Sequence, residues 1–437
     1  MIHSYEDARM FLDERAARLG MDFGLERMEQ VLKRLGNPER EIPMVHIAGS
    51  NGKGSTLIFL KEILMAQGYE VATFTSPYLE KPNEQIKINH EMIRNEELVS
   101  LLNELIPVLA EIENDKNYLT SFEIYTILAF MYFERKRPSI ALIETGLGGR
   151  LDSTNVINPL LAIITTISLE HTQILGNTLA EIAAEKAGII KEGISVITGV
   201  ESPDALQPII KKAVERHARL FRIGKDFWTE NRALEENGEC FDFRAGALCY
   251  SGLRLNMLGA HQLSNASLAI QACNLLNQQY GLRIEEESIR TGLLNARWEG
   301  RFEQMSVNPV IILDGAHNVS GVQVLLETVE ERYRDKNVHF IFAALKDKDY
   351  GTMIKAIEQK AVSITFTQTA MDRMNEAERL YTISTHAEKY ADADWREAFR
   401  KTLERMEEED VLVITGSLYF LAEVRPFIIE EKRNPYT

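Results

Sequence analysis

The chain has little cysteine: Cys240, Cys249 and Cys273 are the only three in 437 residues, and no two stand as CxxC. That excludes a disulfide framework and a cysteine zinc site, and it suits a reducing compartment. No apolar run approaches the roughly 18 residues that a membrane span needs. The first twenty residues, MIHSYEDARMFLDERAARLG, carry charge throughout and contain no signal-peptide apolar region. Positive charge is not in excess. The formal net charge is −16, which argues against a nucleic-acid partner. The acidity lies in short runs such as EEED at 407–410, as on solvated helix faces, and not in an acidic tail. Internal repeats and low-complexity segments are absent. The expectation is a soluble cytoplasmic monomer with neither nucleic acid nor membrane as partner.

What is present is an ordinary globular composition, 45% hydrophobic and 26% charged, in a chain long enough for two domains. The first half alternates short apolar runs with helical patterns, the mark of a largely parallel sheet. PMVHIA (43–48), EVATFT (70–75), SIALIET (139–145) and LLAIITTI (160–167) read as strands. STLIFLKEILMAQG (55–68), SFEIYTILAFMYFERK and TLAEIAAEKAGIIKEG read as helices, the first closed by Gly68 and the last near Gly193. Residues 220–257 are less regular and β-like, and a helix follows over about 261–280. After ARWEGRFEQM (296–305) a second strand–helix series begins with VIILDG and ends with DVLVIT. The boundary is placed at residue 297. Residues 1–297 form an α/β domain of P-loop ATPase type with a mostly parallel sheet. Residues 298–437 form a smaller Rossmann-like α/β domain.

HIAGSNGKGST, at the first strand-to-helix junction, raises the question of function. A standard phosphate-binding loop has Ser or Thr directly after Gly-Lys. Here Gly54 intervenes between Lys53 and Ser55. The context still makes an anion site, because backbone N–H groups and a helix N-terminus converge there. Gly49, Gly52 and Gly54 let the backbone come close to phosphate oxygens. Ser50 and Asn51 complete the loop, Lys53 would reach the terminal phosphates, and Ser55 would cap the helix or ligate Mg²⁺. The bland alternative is a glycine-rich turn with an exposed lysine.

Other candidates lie at strand ends, where ligand groups of open α/β sheets gather. Glu144 ends an apolar strand before a glycine-rich turn, as a Mg²⁺ ligand or a capping carboxylate would. His171 follows the next strand in a polar EHT, as a ligand or a structural histidine. Lys186 falls on an apolar stripe with Leu179, Ile182, Ala183, Ala187 and Ile190, and no acidic residue stands three or four positions away. A lysine so placed either snorkels to the surface or has a special partner.

The loop resembles the Gly-x-x-Gly-Lys-Gly-Ser form found in the Mur ligase family, above all in its folylpolyglutamate synthase/dihydrofolate synthase members. TFTSPYL (73–79), SFEIYTILAF, ETGLGGRLDSTNV (144–156), EHTQILGNTLAEIAAEKAGIIK (170–191), GAHQLSNASLAIQA, WEGRFE, LDGAHN, ALKDKD and TGSLYF resemble that family's segments in the same order across nearly the whole chain. Three departures stand out. Tyr78 replaces a usual His. KPNEQIKIN (81–89) keeps Asn83 and Glu84 but lacks the usual Phe and Arg. Glu170 replaces a common Asp.

The resemblance implies a ligase that uses ATP and Mg²⁺ to convert a folate or dihydropteroate carboxylate to an acyl phosphate, which the amine of L-glutamate attacks. It implies Ser55, Ser76, Glu144, His171 and Lys186 at the metal, with Lys186 carbamylated, and Lys53, Glu144, His171 and Lys186 in catalysis. It places the nucleotide between the domains, on the loop 49–55 and on Asn265, Arg301 and Asp314. Glu123, His317 and Ser417 fall on the substrate side. A cell-wall UDP-sugar ligase of the same family would need a nucleotide-sugar domain before the loop, and only residues 1–43 precede its strand. A guanine-nucleotide switch would need N-K-x-D, and KDKD at 346–349 lacks the Asn. Polyglutamylation alone, without dihydrofolate synthesis, is the nearest alternative.

Overall fold

The structure is a computed structural model, and it describes residues 1–19, 24–113 and 118–433. The chain divides into two compact units. One comprises Met1–Asn256 with Gln262–Ala296, the other Met257–His261 with Arg297–Thr437.

The first unit is built on eight strands: β1 (Met44–Ala48), β2 (Val71–Phe74), β3 (Ile86–Ile88), β4 (Glu91–Met92), β5 (Ile140–Glu144), β6 (Leu161–Ile164), β7 (Ser195–Thr198) and β8 (Arg219–Arg222). They lie in the order β4-β3-β2-β5-β1-β6-β7-β8. Pairing is parallel from β2 through β8, and antiparallel only where β2, β3 and β4 fold back on one another. Strands β1, β5 and β6 are buried throughout, which is why their sequences are apolar without alternation. From β1 the chain goes to one side for β2, returns for β5, and then crosses to β6 on the other side of β1. The sheet therefore changes direction around β1, and the loops at the C-terminal ends of β1, β5 and β6 face the crevice where open α/β sheets bind ligands.

The helix Lys53–Ala66 starts at Gly52, whose φ of 85° opens the first turn, and it is buried from Ser55 to Leu64. Burial on all sides explains its nearly continuous apolar run. The helix Ser121–Lys136 begins with a reciprocal capping box between Thr120 and Glu123. Thr178 and Glu181 make the same box for Leu179–Lys186. That helix is shorter than the expected stripe: it ends at Lys186, and Ala187–Ile189 continue as one 3₁₀ turn, so Ile190 lies outside the helix.

Residues 228–255 form a separate antiparallel sheet, β11-β10-β9, from β9 (Trp228–Glu235), β10 (Gly238–Ala245) and β11 (Leu248–Leu255). The second unit has six strands, β12 (Glu303–Val307), β13 (Val310–Asp314), β14 (Val338–Phe342), β15 (Ser363–Phe366), β16 (Lys389–Ala391) and β17 (Val411–Thr415), in the order β12-β13-β17-β14-β15-β16. All pairs are parallel except the edge pair β12–β13. Phe340, Phe342 and Phe366 are fully buried in its core. Among the described residues, no helix is long and apolar enough to cross a membrane.

Candidate active site

The loop after β1 is clamped by the loop after β6. Ser50 N donates to Thr166 O at 2.7 Å, and Asn51 N to Thr166 Oγ1 at 3.1 Å. Thr165 Oγ1 and Thr166 Oγ1 donate back to Asn51 O at 2.6 and 3.0 Å. Ser168 N donates to Ser50 Oγ, and that hydroxyl donates to Ser168 O. These bonds fix the path of the loop, which reaches left-handed backbone at Gly52. Sequence reading passed over Thr165, Thr166 and Ser168. Their signal was the change from LLAII to the polar TTISLEHT at the end of β6.

The glycines are required sterically. A Cβ on Gly52 would lie 2.4 Å from Asn265 Oδ1. Asn265 is buried, and its Nδ2 donates to Gln262 Oε1 at 2.9 Å. The helix Ala260–Tyr280 thus brings Asn265 against the loop. Ser55 is buried in the first turn of the helix Lys53–Ala66.

Lys53 Nζ donates to Gly49 O at 3.0 Å and lies 3.9 Å from Glu144 Oε1. Lys186 Nζ donates to the same Gly49 O at 3.0 Å and to Glu170 Oε1 at 2.8 Å. Lys186 is 2% exposed. The snorkelling reading is therefore wrong: the ammonium is buried, and its acidic partner comes from the loop after β6, not from its own helix. Burial is the first cause that pushes the Lys186 pKa down. Glu170 opposes it, and the nearby Lys53 adds to it. Burial is the largest single influence on Glu170 and pushes its pKa up, but Lys186 and Lys53 together outweigh it and hold the carboxyl below the usual carboxylate range. The loop after β5 locks the same helix in place. Arg150 N donates to Glu185 O at 2.8 Å, and the Arg150 guanidinium pairs with the Glu185 carboxylate. A Cβ on Gly149 would lie 2.9 Å from the carbonyl oxygens of Glu185 and Lys186.

His171 has φ 44° and stands at the N-terminal end of the short helix Thr172–Leu175. Left-handed backbone at a histidine is uncommon and gathers at functional sites. Ser76 follows β2 and is half-buried. Glu84 accepts from the backbone N–H groups of Leu79, Glu80 and Lys81. Asn83 accepts from the Tyr5 hydroxyl at 2.6 Å and donates to Ile93 O. The two retained residues of the departing stretch thus shape the loop that carries Tyr78. Glu123 is 1% exposed, caps its helix through Thr120, and pairs with Arg27 at 3.2 Å.

Among the described residues, no three His, Cys, Asp or Glu side chains form a metal cage. The donor set expected for Mg²⁺ is different: the hydroxyls of Ser55 and Ser76, the Glu144 carboxylate and His171, with Ser55 and Glu144 buried. A hard cation that keeps waters and takes phosphate oxygens needs few protein ligands, and these suit it. Lys186 as an ammonium has no lone pair to offer, so it fits that set only after modification.

In the second unit the corresponding residues gather at the C-terminal ends of β13 and β17. Asp314 accepts from Phe302 N and Ala316 N, both at 2.8 Å. Burial raises its pKa against the opposing pull of Arg301. Arg301 Nη1 donates to Gly315 O at 3.3 Å, and His317 Nδ1 lies 2.8 Å from the same oxygen. Ser417 Oγ is buried, with no hydrogen-bond partner among the described residues.

Residues 47–273 match the Mur ligase middle domain, and residues 300–418 match the Mur ligase glutamate ligase domain. The chain is 42% identical to a dihydrofolate synthase/folylpolyglutamate synthase of Bacillus subtilis, over 97% of this chain and 99% of that one. It is 32% identical to a folylpolyglutamate synthase of Lacticaseibacillus casei, over 93% and 94%. The fold superposes on Mycobacterium tuberculosis folylpolyglutamate synthase complexed with ADP with a TM-score of 0.91 at 27% identity, covering 97% and 98% of the two chains. With its domains, its clamped loop and nearly its full length accounted for, this chain belongs to the Mur ligase family, among the folylpolyglutamate synthase/dihydrofolate synthase proteins.

Proposed function

We propose that this chain is an ATP-dependent ligase that adds L-glutamate to folates through an acyl phosphate, and that it also converts dihydropteroate to dihydrofolate. The observation that carries the reading is the placement of Lys53, between the carbonyl of the loop and Glu144, at the crevice of a sheet matched from end to end by folate–glutamate ligases. The backbone N–H groups of residues 52–55, which begin the helix, and the Lys53 ammonium neutralise charge on the transferred phosphoryl group. Ser55, Ser76, Glu144 and His171 would hold Mg²⁺, which would supply further charge neutralisation at the phosphates. Asn265, Arg301 and Asp314 are assigned to the nucleotide, and His317 and Ser417 to the incoming glutamate. Glu123 enters as a positioning residue that fixes the helix start beside Phe122.

Lys186 is assigned a carbamate in the active enzyme. The uncharged amine attacks CO₂, an N–C bond forms, and a proton is released, which leaves an anionic oxygen donor. Burial favours that chemistry by lowering the amine pKa. The resulting anion needs a cation against it.

Domain roles follow the same assignment: residues 1–297 carry the ATP-binding loop, and residues 298–437 carry His317 and Ser417, assigned to glutamate, along with Arg301 and Asp314. The test is ADP release by purified protein with ATP, Mg²⁺ and glutamate, with either tetrahydrofolate or dihydropteroate as acceptor. Release with both is expected. Release with tetrahydrofolate alone removes the dihydrofolate synthase half, and release with neither removes the reading.

A further inference from the structure

We propose that His46 is a positioning residue for Glu144, acting through Thr154 and Asp152. The inference rests on the reading of Glu144 as the carboxylate that serves Mg²⁺ and the phosphoryl group.

His46 lies in β1, in register with Ile143 of β5, one residue before Glu144. Its side chain is fully buried, and Nε2 lies 2.8 Å from Thr154 Oγ1. Thr154 Oγ1 donates to Asp152 Oδ1 in a short bond, and Thr154 N donates to the same oxygen at 3.0 Å. The other oxygen, Oδ2, accepts from Leu147 N at 2.8 Å. The relay thus runs from the central strand to the turn that begins where Glu144 ends β5. Thr145 N, donating to Ile47 O at 2.9 Å, ties the start of that turn to the same strand.

The proton directions follow from counting. The hydroxyl has one proton, and Asp152 takes it, so His46 must donate from Nε2. That assigns the tautomer and leaves Nδ1 as an acceptor with no partner among the described residues. The ring stays neutral, since burial and then Lys191 hold its pKa down at about 3. An apolar side chain would fill the same space without a stranded nitrogen, so what the imidazole adds is the bond to Thr154. Groups that fix a ligating carboxylate from behind are typically worth 10–100-fold in metal affinity or activity.

The experiment compares the parent with His46→Leu, His46→Gln and Thr154→Val. Three quantities are measured: the Mg²⁺ concentration for half-maximal ADP release, the Mg²⁺ dependence of ADP binding by calorimetry, and the thermal midpoint. His46→Leu and Thr154→Val should raise the Mg²⁺ requirement roughly tenfold or more, while KM for ATP at saturating Mg²⁺ stays close to the parent's. His46→Gln, whose amide reaches the same hydroxyl, should recover most of the loss. Variants that melt earlier yet keep the parent's Mg²⁺ dependence overturn the proposal, as does a Gln variant no better than Leu. Thr154→Val carries the test if His46→Leu does not fold. A parent that releases no ADP with any folate defeats the functional reading alone, because calorimetry still reports the Mg²⁺ dependence of nucleotide binding.

Discussion

Lys53 and Lys186 donate to the same oxygen, the carbonyl of Gly49, each at 3.0 Å. Two ammonium groups on one acceptor repel, and this site offsets the repulsion with a carboxylate on each side, Glu144 near Lys53 and Glu170 on Lys186. Opposite charges are thus gathered around one carbonyl of the glycine-rich loop. Binding an anion relieves the repulsion instead of creating an unpaired charge.

Lys53→Ala should reduce ligase turnover roughly 10²-fold or more, the usual loss when one pre-placed donor at a reacting anion is removed. The fold should survive, because Lys53 is not fully buried and its bond to the carbonyl of Gly49 stays within one loop and helix start. Turnover assays with thermal melts decide this, and near-normal turnover would refute the assignment.

Lys186→Ala should lose activity, and formate or acetate in solution should restore part of it by occupying the vacated ligand position. Labelled bicarbonate should give a carbamate carbon signal in the parent that is missing from the variant. A fully active sample whose density at high resolution shows a bare amine still paired with Glu170 would sink the carbamate.

Ser417→Ala should leave the melting temperature unchanged, since no hydrogen bond is lost on truncating an unpartnered hydroxyl. It should raise KM for glutamate by about tenfold, the worth of one hydrogen bond at a buried position. A variant that melts early with an unchanged KM would make Ser417 structural.

Acid should destabilise the parent more than His46→Gln. The folded pKa of His46 is about 3 against 6.5 for the free side chain, so between those values the unfolded state binds more protons and stability rises with pH. At pH 4.5 the parent should have lost about 2–3 kcal/mol relative to pH 8 that the variant keeps. The raised pKa of Asp152 acts in the opposite direction, but it is present in both proteins. Urea midpoints across this range measure the difference, and parallel curves would refute it.

Much of the architecture was legible in local pattern. The runs that became β1, β5 and β6 were apolar because both faces of those strands are covered, and the helix beginning at Lys53 was marked by the glycines before it. The 3₁₀ turn after Lys186 was not legible. Its sequence, AGII, carries the same apolar period as the helix, and only the packing of Gly188 against Arg150, where a Cβ would lie 2.4 Å from Cα, ends the helix there. Likewise Asn83 and Glu84 stood out only as retained residues of a departing stretch, and the structure gives them the work of holding backbone groups around it.

The sequence by itself determined the fold class, the glycine-rich loop at the first strand–helix junction and the family, because each is written in contiguous residues whose spacing is fixed by backbone geometry. It could not determine the partners of buried charge. Glu170 and Lys186 are sixteen positions apart in the chain, and His46 is more than a hundred from Thr154. Such pairs exist only after the sheet has set β1 beside β5 and β6, and their energies depend on the low-dielectric surroundings that the completed fold creates.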